Sequence, residues 1–494
     1  MAKLNRREAL ALLGAAVSGA AISGSALPRP LYAGGERPID VVVVGAGLSG
    51  LHAAMLLEEL GLNVQVIEAR QRVGGRVYTL DMLPGSPEGG GEIISPTYAR
   101  MLNTARRLNV GLKPLPWDVG TGAAPAPALG LKRGFMYHLG GETIVASDWS
   151  TSRQNPLSGE DRKILPERLL RTLMYRDAPL RGQSLDAWLT PEFAQWDIPA
   201  TDYLRSLGHN EATIKLTGQV VYTDTFARTS ALHEMRRYQG YEFDAPLGDI
   251  TSAQLIQGGN SRLPEAMAKS LKNGVKFGKA ILGVETNSKR VTIQCTDGTT
   301  IQAPFAVISM PMPLLRDVIF EPGLPEPLAS AVREMDYGLS IQVHMSVREP
   351  YWQKDGLPAS MWTDTGIERL VPRNLGSGEI PPLVAFINGA EVRRYNFMTD
   401  RECFEYVAAV LAKIRPSTRG QLEMLHVQSC ARSPFGAGDW VYWQPGQVRK
   451  YGLHMRDGLD RVVFCGEHTA IMQRGMEGAF ESGERAAMEI ISRV

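Results

Sequence analysis

Three glycines near the N-terminus have the spacing of a phosphate-binding turn. Gly45, Gly47 and Gly50 form a G-x-G-x-x-G pattern that includes Ser49, and Glu68 follows 18 residues after Gly50. Glycine permits a tight turn at the first position and a close backbone approach to a pyrophosphate at the second, where a helix N-terminus favours anions. An acid at the distance of Glu68 accepts hydrogen bonds from an adenosine ribose. The pattern therefore predicts a bound dinucleotide cofactor.

The elements that must position this turn form a strand-helix-strand unit. Residues 39–44 are β-branched and predict a strand, 48–60 have a helical pattern, and 63–68 predict a second strand. The stretch 79–91 is rich in Gly and Pro, and 124–128 alternates Ala and Pro, so we expect loops there. This part of the chain predicts a Rossmann-like α/β domain.

A second α/β block follows a mostly helical region over 160–237. Its predicted elements are a helix at 263–271, strands at 275–281, 283–285, 291–296, 305–309, 341–347 and 383–388, a helix at 404–414, a strand at 462–465 and a helix at 476–492.

Length and composition exclude several classes of protein. With 494 residues, 44% of them hydrophobic, the chain predicts about two or three domains with large cores. A net charge of +1 gives no field to hold nucleic acid, so we expect no such partner. The cysteines contain no C-x-x-C pair and indicate neither a metal site nor a disulfide framework, so we interpret them as buried thiols. They are Cys295, Cys403, Cys430 and Cys465.

The N-terminus resembles a twin-arginine export signal of the bacterial type. Arg6 and Arg7 precede an apolar run over 9–21 that is too short to span a bilayer, and small residues follow up to Ala33. We interpret residues 1–37 as an export signal and linker, which predicts a periplasmic enzyme; a helical arm is the alternative. The rest of the chain has no apolar run of about 18 residues, so we expect no membrane span.

The segment after the second strand is similar to the extended signature of the flavin-containing amine oxidase family. It reads Glu68-Ala69-Arg70-Gln71-Arg72-Val73-Gly74-Gly75-Arg76. Further matches lie at 90–96, 257–259, 307–311, 349–352, 464–469 and 475–487. The resemblance spans 39–494 and is thin between about 100 and 250. It implies an FAD site that also includes Ala69, Arg70, Gly75, Arg76, Gly91, Glu92, Ile281, Gly466, Glu467 and Met476.

The resemblance also implies a domain arrangement. It predicts a discontinuous FAD-binding domain, with a substrate domain of mixed sheet and helices between its parts and the active site at their interface. The FAD domain comprises 38–95, 250–325 and 450–494, and the substrate domain 96–249 and 326–449. The last helix would direct its N-terminus at the flavin pyrimidine, where reduction leaves negative charge. A homodimer is compatible with this family.

Departures from the family pattern refine the expected site. Asp439 falls where covalent members carry a cysteine, so we expect FAD to be non-covalent. Trp440 falls at one wall of an aromatic cage that favours amine-bearing carbon. Gly475 falls where several members carry the other aromatic. That side of the pocket is therefore expected to be open, or filled by Arg474.

Gln342 falls where the family carries a lysine that assists the reaction with oxygen. Gln342 and His344 share one face of a strand, so we expect one of them to approach flavin N5. Neither supplies a fixed cation, which favours a periplasmic electron carrier over O₂ as the oxidant. Ile94 falls where amino-acid oxidases carry a carboxylate-binding arginine, so an amine without a carboxylate is preferred, although Arg474 or Arg228 offers another route.

The predicted activity is oxidative deamination of an amine. A hydride passes from the carbon next to nitrogen to flavin N5, and water hydrolyses the imine to an aldehyde or ketone. Burial beside Trp440 lowers the pKa of the amine, which favours binding of the neutral amine, and a neutral amine requires no strong general base. The alternatives are an L-amino-acid oxidase, a flavin desaturase or a non-catalytic flavoprotein.

Overall fold

The computed structural model describes residues 37–115, 131–132, 134–219, 222–244, 253–373 and 379–494. Its strands are β1 Val41–Val44, β2 Val64–Ile67, β3 Tyr78–Thr79, β4 Glu88–Gly90, β5 Leu112–Pro114, β6 Met136–Leu139, β7 Glu142–Val145, β8 Gln254–Ile256, β9 Val275–Lys276, β10 Ile281–Thr286, β11 Val291–Cys295, β12 Thr300–Ala303, β13 Phe305–Ile308, β14 Ile319–Glu321, β15 Ser340–Val347, β16 Met361–Thr363, β17 Arg369–Pro372, β18 Leu383–Asn388, β19 Leu422–Ser429 and β20 Val462–Phe464. Its α-helices are α1 Leu48–Glu59, α2 Ala99–Arg107, α3 Pro166–Tyr175, α4 Ala200–Ser206, α5 Glu211–Thr217, α6 Ala231–Asp244, α7 Arg262–Ser270, α8 Leu328–Glu334, α9 Tyr351–Asp355, α10 Val392–Tyr395, α11 Asp400–Ile414, α12 Gln447–Tyr451 and α13 Gly475–Ile491. The twin-arginine motif and the Ala/Pro stretch 124–128 lie outside the described residues.

A five-stranded sheet with every neighbouring pair parallel forms the centre of the first layer. Its order is β20-β13-β1-β2-β9. All four valines of β1 are buried, as a strand covered on both faces requires. The predicted mixed α/β fold with a Rossmann-like unit is therefore confirmed.

Helices α1 and α13 pack closely against this sheet. Glycine at 483 makes their approach possible, because a Cβ there would lie 2.4 Å from the carbonyl oxygen of Ser49. The rings of His52 on α1 and Phe480 on α13 meet edge to face, with centroids 4.8 Å apart. The C-terminal helix is thus held against the helix that follows the glycine turn.

A seven-stranded mixed sheet forms the second layer, in the order β19-β15-β18-β17-β16-β6-β7. Alternate residues of β15, including Ile341 and Val343, enter an apolar core with Phe404 and Val407 of α11. The opposite face of β15 presents Gln342 toward the first layer's cavity. Helices α3 to α6 pack in a further core around Trp188.

Two local predictions were wrong. The stretch 275–281 is not one strand: β9 ends at Lys276 and β10, in a four-stranded sheet, begins at Ile281. Gly278 between them has φ +68°, so the chain turns out of the first sheet. The stretch 79–91 is not all loop, because β3 and β4 pair within it. In the part of the chain that the structure describes, no helix is both long and apolar enough to cross a bilayer.

Candidate active site

One cavity of about 770 Å³ lies between the parallel sheet and the seven-stranded sheet. Residues that follow the carboxyl ends of parallel strands line it: Gly45 after β1, Glu68 after β2, Ser309 after β13 and Gly466 soon after β20. Ligands of open α/β sheets bind at this edge. Gln342, Arg369 and Phe386 of the second sheet form part of the opposite wall.

The glycine turn has the geometry that the sequence predicts. Gly45 adopts φ +103°, and a Cβ on Gly50 would lie 2.1 Å from the Gly45 carbonyl oxygen. By contrast, a Cβ on Gly47 would meet no described atom within 4 Å. Gly45, Gly47 and Ser49 line the cavity, whereas Gly50 serves the tight turn beneath it. The bare backbone at Gly47 therefore fits a pyrophosphate.

Glu68 is a fixed hydrogen-bond acceptor at the cavity wall. It is 5% exposed and accepts hydrogen bonds from the backbone N–H groups of Ala46 (2.8 Å) and Arg70 (2.9 Å). A carboxylate has about four acceptor positions, so two remain for a ligand. This is the arrangement that ribose hydroxyls require.

Arg76 connects the glycine-rich segment to the C-terminal segment. Its Nη1 donates to Glu467 Oε1 (2.8 Å) and to the Asp439 carbonyl (2.7 Å). Burial would lower the pKa of Arg76, but Glu467, Tyr337 and Asp439 together outweigh it and raise the pKa. Glu467 also accepts from the Val441 N–H (2.9 Å). The pair is therefore a rigid support at the cavity wall.

The other expected FAD contacts also border the cavity. A Cβ on Gly91 would lie 2.8 Å from Val77 and 3.2 Å from the Met476 sulfur, so these segments meet closely. Arg70 reaches Ser433 Oγ (2.8 Å). The lining residues of this group are Ala69, Arg70, Gly75, Arg76, Gly91, Glu92, Ile281, Gly466, Glu467 and Met476. The residues present thus fit an FAD, whose contacts stay predictions.

Two neighbouring aromatic rings, tilted relative to each other, also line the cavity. The Trp440 and Tyr222 centroids are 5.8 Å apart with planes at 48°. Tyr222 was not predicted, because it follows α5 in a region without a recognised motif. Gly475, at the position of the expected second wall, has φ +58° and no described atom near a built Cβ. The space beside Gly475 is open, as expected. The second aromatic ring beside Trp440 is supplied by Tyr222, from a different segment.

Of Gln342 and His344, the two β15 residues expected near the flavin, only Gln342 lines the cavity. His344 is buried and donates from Nε2 to Gln342 Oε1 (3.0 Å). Burial, followed by the charges of Arg373 and His426, lowers the pKa of His344 to about 3. His344 is therefore a neutral support for Gln342 and does not contact the cavity, contrary to one of the two expected arrangements.

Asp439 and Ile94 differ in what they contribute. Asp439 lines the cavity, and burial raises the pKa of its carboxyl group. Ile94 lies in the apolar core of the first layer, while its neighbours Ile93 and Ser95 border the cavity. Ile94 therefore offers no contact to a ligand in the cavity, and the expectation that a substrate carboxylate is disfavoured stays a prediction.

Several cavity residues carry no motif and were missed. Arg237 and Arg369 place their guanidinium carbons 4.6 and 5.2 Å from the Tyr222 ring centroid. His233 also lines the cavity, whereas Arg228 pairs with Asp224 (2.6 Å). The sequence offered one signal for them: His233, Arg236 and Arg237 lie at i, i+3 and i+4 of α6, a spacing that places them on one face of the helix.

Comparisons with known proteins agree with this geometry. The model of the family described as "Flavin containing amine oxidoreductase" matches residues 48–491. Human amine oxidase [flavin-containing] B is 28% identical over 473 residues, covering 92% of this chain and 86% of the relative. The bovine enzyme of the same name is 27% identical with the same coverage.

Solved structures share the fold. Putrescine oxidase bound to putrescine matches with a TM-score of 0.75 and 22% identity, covering 92% of this chain and 100% of that one. Cyclohexylamine oxidase from Brevibacterium oxydans IH-35A matches with a TM-score of 0.74 and 21% identity, covering 92% and 99%.

Proposed function

Because this chain belongs to the family of flavin-containing amine oxidoreductases and is an FAD-dependent enzyme acting on amines, we propose that it oxidatively deaminates a small amine. The observation that carries the proposal is the Trp440–Tyr222 pair, which opens onto the same cavity as the glycine turn. The glycine turn, Glu68 and Arg76 would hold FAD, which when bound would supply the hydride acceptor for oxidation of the carbon next to nitrogen. Hydrolysis of the resulting imine by water gives an aldehyde or ketone and releases ammonia or a smaller amine.

The chain's own residues bind and orient the reactants. Trp440 and Tyr222 offer aromatic faces to the amine-bearing carbon and exclude water around it. The positive side chains of Arg237 and Arg369, beside Tyr222, favour the neutral form of the amine. An amine that binds neutral needs no general base, so no proton acceptor is assigned.

Gln342 bears on how the enzyme is reoxidised. It is a neutral amide whose Oε1 is fixed by His344, and it lines the cavity where the family carries a lysine. Without a fixed cation there, we propose slow reaction with O₂ and electron transfer to a periplasmic carrier. Export through the twin-arginine motif at Arg6 and Arg7 would place the folded, FAD-loaded enzyme in that compartment.

Anaerobic stopped-flow absorbance of the yellow holoenzyme tests the proposal. Primary, secondary and aromatic amines are each mixed with the enzyme, with free FAD as the control. Rapid bleaching by at least one amine, absent with free FAD, is expected. Subsequent mixing with oxygen then separates an oxidase from a dehydrogenase. If the whole panel leaves the flavin oxidised, the proposed deamination is wrong.

A further inference from the structure

The backbone just before α13 is fixed from two sides. Glu481 accepts hydrogen bonds from the N–H groups of Ile471 (2.8 Å) and Gln473 (2.7 Å). Arg236 donates to the carbonyl groups of the same two residues, at 3.1 and 3.0 Å. Because both kinds of backbone group are bound, the next residue, Arg474, starts from a defined position at the N-cap of α13.

Arg474 lines the cavity, and its guanidinium has no hydrogen bond or ion pair with any residue in the described ranges. Within those ranges the cavity arginines Arg70 and Arg236 also lack a carboxylate partner, but they donate hydrogen bonds to Ser433 and to backbone carbonyl groups. Three others each have a carboxylate partner: Arg237 with Glu234 (3.3 Å), Arg369 with Glu368 (2.7 Å) and Arg373 with Glu92 (3.1 Å). A half-buried charge of this kind is stabilised by an anion.

A second unsatisfied group lines the same cavity. His233 is 3% exposed, and neither ring nitrogen has a hydrogen-bond partner among the described residues. Burial, followed by the charges of Arg474, Arg236 and Arg237, lowers the pKa of His233 well below its usual value. The ring is therefore neutral, with one N–H donor to offer, and leaving a buried donor unpaired is costly.

We propose that Arg474 and His233 form a subsite for a carboxylate group carried by the amine substrate, an inference that rests on the amine oxidation proposed above. A guanidinium donates two parallel N–H groups to a carboxylate, and the imidazole N–H adds a third donor. Trp440 and Tyr222 line the same cavity for the amine-bearing part. Since Ile94 lies in the core, its identity does not oppose a carboxylated substrate.

Binding of a simple carboxylate tests the subsite without turnover. Holoenzyme is titrated with benzoate, followed by perturbation of the flavin spectrum, in wild type, Arg474→Gln, Arg474→Lys and Arg228→Gln. Arg474→Gln should weaken binding about 10- to 100-fold, as expected for losing hydrogen bonds to a charged group. Arg474→Lys keeps the charge and should recover part of the affinity. Arg228→Gln should bind like wild type, because Arg228 pairs with Asp224 and does not line the cavity, contrary to the alternative carboxylate-binding role expected from the sequence.

Matched substrates separate this inference from the proposed function. Phenethylamine is compared with L-phenylalanine, and propylamine with 4-aminobutanoate, by anaerobic flavin reduction. We expect a carboxylated member to react at lower concentration, with the advantage lost in Arg474→Gln. If no compound reduces the flavin but benzoate binding depends on Arg474, the proposed function fails and the anion subsite stands. Equal benzoate affinity in wild type and Arg474→Gln overturns the subsite. The subsite is also overturned if Arg474→Gln weakens benzoate binding only because the variant loses its FAD.

Discussion

Arg76 donates a 2.8 Å hydrogen bond to Glu467 although 391 residues separate them in the chain. The pair joins the segment after β2 to the segment after β20, and both segments border the cavity. Because Arg76 also binds the Asp439 carbonyl, the same guanidinium fixes the backbone next to Trp440. One ion pair therefore supports both the wall segments that it joins and the backbone beside Trp440.

Breaking this pair is expected to lower both the stability of the protein and the amount of FAD that it binds. Glu467→Gln leaves Arg76 without its counter-charge and should lower the free energy of unfolding by about 2–4 kcal/mol. Differential scanning calorimetry and the ratio of bound flavin to protein measure the effect. Arg333→Gln, which removes an exposed pair with Glu326, is the control and should change stability far less. Equal effects of the two substitutions would contradict the role given to Arg76 and Glu467.

The two glycines of the turn should respond differently to alanine. Gly50→Ala places a Cβ against the Gly45 carbonyl and should reduce the yield and melting temperature of the protein even without FAD. Gly47→Ala has room in the protein and should fold normally but bind FAD at least about tenfold more weakly, because the Cβ meets the pyrophosphate. Flavin titration of the apoprotein measures this. Normal FAD affinity in Gly47→Ala would argue against a pyrophosphate at this turn.

The aromatic pair should govern reaction with the amine. Trp440→Ala and Tyr222→Ala remove one ring each and should lower kcat/KM about 5- to 30-fold, since such contacts contribute about 1–2 kcal/mol. Trp196→Phe changes a ring that meets Tyr203 edge to face in another core and serves as the control. Unchanged kcat/KM in both alanine variants would remove the basis for the cage.

FAD should be released when the protein is denatured with acid. Asp439 stands where covalent members of the family carry a cysteine, and the Cys430 thiol is engaged with Ser340 (3.3 Å to its carbonyl). All flavin absorbance is therefore expected in the supernatant after precipitation. Flavin fluorescence that stays with the chain in a denaturing gel would show a covalent bond instead.

Stability should fall as the pH decreases from about 6.5. Burial lowers the pKa of His52, His344 and His468 to about 3, so the unfolded chain binds more protons than the native one between pH 3 and 6.5. Glu88 opposes this between pH 4.5 and 7, because burial raises its pKa to about 7 and the native state then binds the extra proton. Burial also raises the pKa of other carboxyl groups, such as Asp439 and Glu477. It lowers the pKa of three further histidines, His138, His209 and His233. We expect the six histidines to dominate, so the melting temperature should fall on acidification.

A single substitution checks this assignment. His52→Phe keeps a ring against Phe480 but removes one titrating group, and should make the melting temperature less dependent on pH. Phe397→Leu, at a 93%-exposed side chain that does not titrate, should leave the dependence as in wild type. Parallel pH profiles for His52→Phe and wild type would contradict the buried, neutral state of His52.

Sequence periodicity and glycine spacing predicted the first layer well, because β1, α1 and β2 are local elements whose buried valines and turn glycines determine each other. The ends of β9 and β10 could not be predicted, since a strand's sheet is chosen by distant partners. For the same reason, the positions of Tyr222 and His233 in the cavity could not be predicted. Both residues act together with side chains from α6, β17 and the segment before α13. These segments are far apart in the sequence, so no local pattern predicts that they line one cavity.

Reduction of the holoenzyme by a deuterated amine tests the central claim most directly. An amine that bleaches the flavin is prepared with deuterium on the carbon next to nitrogen and compared with the protiated compound under anaerobic conditions. Slower bleaching with the deuterated amine, together with release of the corresponding aldehyde or ketone, is the predicted result. If the flavin stays oxidised with every amine supplied, this protein does not carry out the deamination proposed for it.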